Sequence, residues 1–234
     1  MVIKAAERSA AFSFLRRPTF ADRPPTLNQG LYVQLRDRFM NGVITNLRSL
    51  GVFKGRESPG RFWPYVACVI ALTMVGAFAV MIPVMNDFFA KAARLAAEHP
   101  EAVSVQTSPG GYSVRVAAGH PEVMPDFGLM FGGIGATVAL AAALLAAAVA
   151  RRLHDSGLTG WLGLLPLPFL AFGLVAMPRV FAEVAAGSET PDLTPVLLLF
   201  LNNMLYLAAL GILVLLLCRR GTPGPNRFGE PADA

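Results

Sequence analysis

Two arginines, a histidine and an aspartate crowd into Arg151-Arg152-Leu153-His154-Asp155, followed by Ser156-Gly157-Leu158-Thr159-Gly160-Trp161. Paired guanidiniums offer bidentate donors to a phosphate or carboxylate. Basic residues just inside a membrane attract anionic lipid. The chemistry of such a block is that of an anion, headgroup or acidic-partner site. A plainer account is also open. It makes Arg151 and Arg152 charges that stop a membrane span, Asp155 the cap of the next helix, and Gly157 and Gly160 the turn. A cap explains Asp155 alone, and the whole block less well. His154 and Asp155 make a poor chelating pair, because helical neighbours point about 100° apart. The other histidines, His99 and His120, fall in a different loop. No metal site and no cofactor is expected.

The elements that hold this block are apolar. Of the 234 residues, 54% are hydrophobic and 15% charged, with a mean hydropathy of +0.52. Soluble domains carry about a quarter charged residues, so composition points to an integral membrane protein. The net charge of +5 is explained by basic cytoplasmic segments rather than by nucleic acid. Four spans are expected, at about 62–85, 127–150, 161–181 and 193–217. Pro64 is placed in the first turn of the first span, with Trp63 and Tyr65 as interfacial anchors. The second span is built of small residues. Gly128, Gly132 and Ala136 recur every four positions, a face that lets helices approach closely and puts this span mid-bundle. Pro166 and Pro168 predict a break in the third. Asn202 and Asn203 lie inside the fourth, where amides usually bond to a neighbouring helix.

Residues 1–26 read as a basic flexible tail without the apolar core of a cleavable signal. Residues 27–51 carry Leu27, Leu31, Leu35, Phe39, Val43, Leu47 and Leu50 at helical spacing, with arginines mostly between them. That pattern predicts an amphipathic helix, lying in the interface or packed on the bundle ends. The loop at 86–126 starts helical and alanine-rich. It then alternates through Val103, Val105 and Thr107 to Tyr112, Val114 and Val116, which predicts a β-hairpin turning at Pro109 to Gly111. A short acidic loop with Glu183, Glu189 and Asp192 joins the last two spans. Cys68 and Cys218 read as buried thiols, not a disulfide.

Of the 20 Lys and Arg, 16 fall in the N-terminal segment, the Arg151 block and the tail, against 4 in the two opposite loops. By the positive-inside rule both termini and the block face the cytoplasm, and the hairpin loop faces outward.

Three segments on that face stand together. They are Phe53-Lys54-Gly55-Arg56 ahead of Phe62-Trp63, then Arg151-Arg152-Leu153-His154-Asp155-Ser156-Gly157 with Gly160-Trp161, then Gly221-Thr222-Pro223-Gly224-Pro225-Asn226-Arg227-Phe228-Gly229. The combination resembles the family of small bacterial inner-membrane proteins called domain of unknown function 805, over roughly residues 50–231. The resemblance implies a helical inner-membrane protein and supplies no reaction. The first segment departs from the family pattern. Pro59 stands where a second Arg is usual and Arg61 where an acid is usual, so a paired Arg–Glu contact is missing or rebuilt.

The expected fold is all-α, four transmembrane helices behind an amphipathic helix, with a small β-hairpin in the extracytoplasmic loop. The candidate contact set for anionic lipid or a partner is Arg56, Arg151, Arg152, His154, Asp155, Asn226 and Arg227. Asn226 and Arg227 are expected to bond back to the Asp155 or Arg56 turn. No Asp, Glu, Lys, Arg or His falls within the interior of a span, Arg179 lying at the far end of the third, which disfavours a coupled carrier. No carboxylate pair, triad or metal cluster points to an enzyme. The expected function is non-enzymatic, with a cytoplasmic cluster that binds anionic lipid or an acidic partner segment. A passive channel for small solutes, and a structural subunit or homo-oligomer recruited through the second span, are the alternatives.

Overall fold

A computed structural model of the chain describes residues 27–108, 111–117, 120–185 and 193–231. The tail 1–26, the turn residues Pro109 and Gly110, and Glu189 and Asp192 lie outside the described residues. The chain divides into two units after Arg38. In the first, residues 27–38 are helical and Arg36 pairs with its neighbour Asp37 at 3.2 Å. Everything below concerns the second.

The described elements are α1 (Leu27–Arg48), α2 (Pro59–Glu98), the hairpin β1 (Val103–Ser108) and β2 (Gly111–Val116), α3 (Phe127–Asp155), a 3-10 helix at Gly160–Leu164, α4 (Leu167–Ala185) and α5 (Thr194–Cys218). Among the described residues four helices are long and apolar enough to cross a membrane: Pro59–Glu98, Phe127–Asp155, Gly160–Phe181 and Thr194–Cys218. These suggest a multi-pass membrane protein. Few of their apolar side chains are buried, as expected where the surrounding solvent is itself hydrocarbon.

α2 is longer than its expected span. Its 40 residues make about 60 Å of helix, against about 30 Å of hydrocarbon. It begins at Pro59, where proline's missing N–H is an orphan anyway, so Pro64 is an interior proline rather than a first-turn one. Its far end, Asp87 to Glu98, continues past the apolar run. There Ala92 and Leu95 bury against Ala102, Val123 and the hairpin valines Val103, Val114 and Val116. The expected hairpin is present, and its antiparallel strands pair Val103 with Val116 and Val105 with Val114. Two strands alone are marginal, and this small core is what they lean on.

α3 packs against α2, α4 and α5, the middle position expected of it. The close approaches are not at Gly128 and Gly132, however. A Cβ on Gly132 would meet nothing within 4 Å, whereas one on Gly133 would stand 2.7 Å from Val80, and one on Gly76 2.7 Å from Thr137. The face toward α2 is thus one position round from the regular small-residue stripe. Gly128, Gly132 and Ala136 are exposed. After α3 the chain runs through the 3-10 helix and a turn at Leu165-Pro166 into α4, which is the break that the prolines predict.

The main core joins Phe62, Tyr65 and Val69 of α2, Ala148 and Leu153 of α3, and Leu213 and Leu217 of α5. Tyr65 is therefore not an interfacial anchor. It is 1% exposed and donates its hydroxyl to the Leu144 carbonyl at 2.8 Å. Trp63 is exposed. Both cysteines are free, Cys68 half-buried and Cys218 exposed rather than buried.

Candidate functional site

The Arg-Arg-Leu-His-Asp block is the last helical turn of α3, not a loop. The helix ends immediately after it, in a Schellman motif. Gly157 N–H donates to the His154 carbonyl and Leu158 N–H to that of Leu153, both at 2.9 Å. Gly157 sits at φ +74°, the left-handed conformation this ending requires. Leu158 then packs against the core cluster that contains Leu153. Asp155 caps no following helix. Its carboxylate faces inward, toward two arginines.

Arg152 is 1% exposed. It donates to Asp155 Oδ2 at 2.6 Å, to the Leu217 carbonyl at 2.9 Å, to Glu57 O at 3.4 Å and to the Arg219 carbonyl. Arg56 donates to Asp155 Oδ1 at 2.8 Å, to the Gly224 and Thr222 carbonyls at 2.7 Å each, and to Asp155 O at 3.4 Å. Arg151 donates to Glu57 Oε2 at 3.1 Å, Asn46 Oδ1 at 2.6 Å, the Ser49 carbonyl at 2.9 Å and the Val52 carbonyl. Each guanidinium thus spends four of its five donors on the protein itself.

These bonds tie together four stretches: the end of α1 with the loop after it, the end of α3, the end of α5, and the tail. Thr222 closes the tail onto α3, its N–H donating to the Asp155 carbonyl at 2.8 Å. At Gly221 a Cβ would stand 2.2 Å from Asp155 Oδ2, so only glycine fits. The expected return of the tail is present. Asn226 Nδ2 donates to the His154 carbonyl at 3.0 Å and to Thr222 Oγ1 at 2.8 Å, and Arg227 donates to the Gly157 carbonyl at 3.2 Å.

Three buried guanidiniums face two buried carboxylates, Glu57 and Asp155, leaving one formal positive charge over. Carbonyls at the C-terminal end of α5 take up part of it, because a helix C-terminus carries partial negative charge. Arg61 adds an ion pair at the edge, its Nε 3.4 Å from Glu57 Oε1 by distance but not aligned as a hydrogen bond.

His154 and Arg227 stand apart from this network. The His154 ring stacks on Phe228 with centroids 3.8 Å apart, and the Arg227 guanidinium lies 4.6 Å from the centroid of the same ring. His154 Nδ1 is 3.3 Å from the Gly55 carbonyl. Beside them a cavity of about 750 Å3 runs down the alanine-rich face of α3. Phe53, His154, Trp161 and Phe228 line its polar end, and Leu210 and Leu213 its apolar flank. Asn202 bonds across helices as expected, its Nδ2 donating to the Phe169 carbonyl at 3.0 Å, while Asn203 is exposed. No group of metal ligands occurs among the described residues.

A family profile described as "Protein of unknown function (DUF805)" matches residues 50–230. The chain belongs to this family. No curated protein and no solved structure matches it. The matched stretch takes in all three segments that meet in the network. An Arg–Glu contact is present, between Arg151 and Glu57. Asn46, by contrast, lies outside the matched residues. Three participants escaped sequence reasoning: Glu57, Asn46 and Thr222. Glu57 is the one with a signal, an acid next to Arg56 on a basic face. Asn46 reads as one more polar residue of an amphipathic helix.

Proposed function

We propose that this DUF805 protein is a non-enzymatic inner-membrane protein, with both termini cytoplasmic, that holds one anionic lipid at its arginine end. The arginine network is the frame of that site rather than its contact surface, because Arg56, Arg151 and Arg152 are buried with their donors committed. The headgroup contact moves to basic residues that are exposed. Lys54 adjoins Phe53 and Arg227 adjoins Phe228, and both aromatics line the larger cavity.

That cavity carries the reading. Its lining follows α3 from Val138 to His154, about 24 Å of helix, more than half of an about 30 Å hydrocarbon core. One acyl chain of the adjoining leaflet fits along it, with the headgroup at Lys54 and Arg227. Each basic residue near an anionic surface contributes about 1 kcal/mol. The distribution of Lys and Arg, 16 against 4, supports the cytoplasmic placement. An acidic partner segment would meet the same charges but would leave the apolar cavity unfilled.

Native mass spectrometry of protein released gently from its membrane tests this. Wild type should retain one anionic phospholipid. Lys54→Ala/Arg227→Ala should lose the preference for anionic over zwitterionic lipid, and Ala146→Phe, which fills the cavity, should lose the lipid itself. A lipid-free wild type, or a double variant with unchanged preference, would sink the reading. A second reading, as a subunit of a larger complex or homo-oligomer, is favoured by one observation: the Gly128, Gly132 and Ala136 face is exposed. It predicts a stoichiometric partner in the same spectra.

A further inference from the structure

A second, smaller cavity of about 420 Å3 lies between α3, α4 and α5. It sits toward the hairpin end of the spans and meets the larger cavity at Leu170 and Tyr206, which line both. Its walls differ from those of its neighbour. Phe131, Phe169, Phe200 and Tyr206 bring four aromatic rings, and Asn202 and Asn203 bring two amides. No Asp, Glu, Lys, Arg or His is among its described lining residues. Asn202 is pinned by its bond to the Phe169 carbonyl. Asn203, one residue on, is exposed and makes no side-chain hydrogen bond among the described residues.

We propose that this cavity binds the ring of a quinone-like lipid: an uncharged, planar head bearing carbonyl oxygens, with an apolar tail. Each feature of the ligand follows from the lining. The head is uncharged because a buried charge without a partner inside a membrane is strongly disfavoured, and none of these residues offers one. It is planar because the walls are aromatic, and rings pack best offset or edge-on against other rings. Its carbonyl oxygens match the Asn203 amide nitrogen and the Tyr206 hydroxyl, two groups of the lining able to donate. It has an apolar tail because the remaining lining is aliphatic and lies within segments long and apolar enough to span a membrane. The volume falls in the ordinary range of small-ligand pockets, about 300–1,000 Å3. This site does not depend on lipid at the arginine end. The two cavities ask for different molecules, one with an anionic head and one with a neutral one.

Calorimetric titration of the full chain in detergent, with decylbenzoquinone as probe and decylbenzene as a tail-matched control without carbonyls, decides it. Wild type should bind the quinone saturably and the control at least several-fold more weakly. Asn203→Leu should weaken quinone binding by about fivefold, the loss of one neutral hydrogen bond, and leave the control unchanged. Tyr206→Phe should do the same by a similar factor, which covers the case in which Asn203→Leu does not fold. Equal binding of quinone and control by wild type would overturn the proposal, since the cavity would then be a gap for any hydrocarbon. So would well-folded variants that bind the quinone as wild type does.

Discussion

The two ends of the helix bundle use charge in opposite ways. At the arginine end the ion pairs are buried except at the Arg61 edge, and two of them join residues far apart in sequence. Arg56–Asp155 and Arg151–Glu57 have side chains between 2% and 7% exposed. At the hairpin end they are exposed and local. Lys91 pairs with Asp87 at 2.7 Å one helical turn away, with side chains 39% and 54% exposed, and His120 with Glu122 at 2.9 Å two residues away. The hairpin end is held instead by apolar contacts of Ala92, Leu95, Ala102 and Val123. The difference teaches where this chain needs geometry. Exposed local pairs contribute little and specify little. Buried pairs cost desolvation, and in return they admit only one arrangement of the segments that supply their partners.

The sharpest way to break that contrast is to remove a buried carboxylate. Asp155→Ala leaves Arg56 and Arg152 facing each other unpaired, and Glu57→Ala strands Arg151. Each should destabilise the protein by about 3–5 kcal/mol, read as a large fall in thermal midpoint in detergent or as failure to accumulate. A loss below about 1 kcal/mol would mean that water reaches the network.

Next in size is Asn226→Ala. It removes bonds to the His154 carbonyl and Thr222 Oγ1 and the acceptor for Phe228 N–H, at 3.0, 2.8 and 2.8 Å. A half-buried set of neutral bonds of this kind should contribute about 1–2 kcal/mol. The tail from residue 221 onward should then become open to protease while the spans stay folded. An unchanged digest would show that the arginines alone hold the tail.

The smallest effect is expected at the hairpin end, and pH reveals it. The Glu122 carboxyl is held below its usual range, first by its own backbone N–H and then by His120, and Glu101 likewise by its backbone N–H and His99. A lowered folded pKa contributes stability that is present above the unfolded value and lost as pH falls through the folded one. Acidification below the ordinary Glu range should therefore loosen the hairpin slightly, seen as faster amide exchange in β1 and β2 with α3 to α5 unaffected. Arginine-end amides that respond first would reverse the comparison.

Much of this fold is legible in the amino-acid pattern. A run such as Phe127 to Ala150 has no charged residue, so its hydropathy alone identifies a span, and the alternation of Val103 with Val105 identifies a strand. The site was legible only in part. Arg151, Arg152 and Asp155 announce themselves as a block, but a block says nothing of which way it faces. The same residues read as an open headgroup site or as stop-transfer charges with a helix cap, and their burial in ion pairs with Arg56 and Glu57 fits neither. The small-residue stripe shows the same limit. Gly128, Gly132 and Ala136 have the right spacing for packing, yet Gly133 and Gly76 make the close contacts, because the rotation of α3 against α2 is settled by the neighbours on every side.

The sequence by itself determined what local physics decides. That covers four apolar helices, a proline-broken connection ahead of α4, a hairpin, a glycine turn at Gly157 and a basic bias toward one side. Each depends on residues within one turn or one run of each other. The tertiary structure alone decided who partners whom: Arg151 with Asn46 and Glu57, Arg56 with the carbonyls of Thr222 and Gly224, His154 with Phe228, and two cavities of different chemistry side by side. Those contacts join residues as many as 168 positions apart. Each depends on a buried donor meeting an acceptor that only the assembled bundle brings within reach.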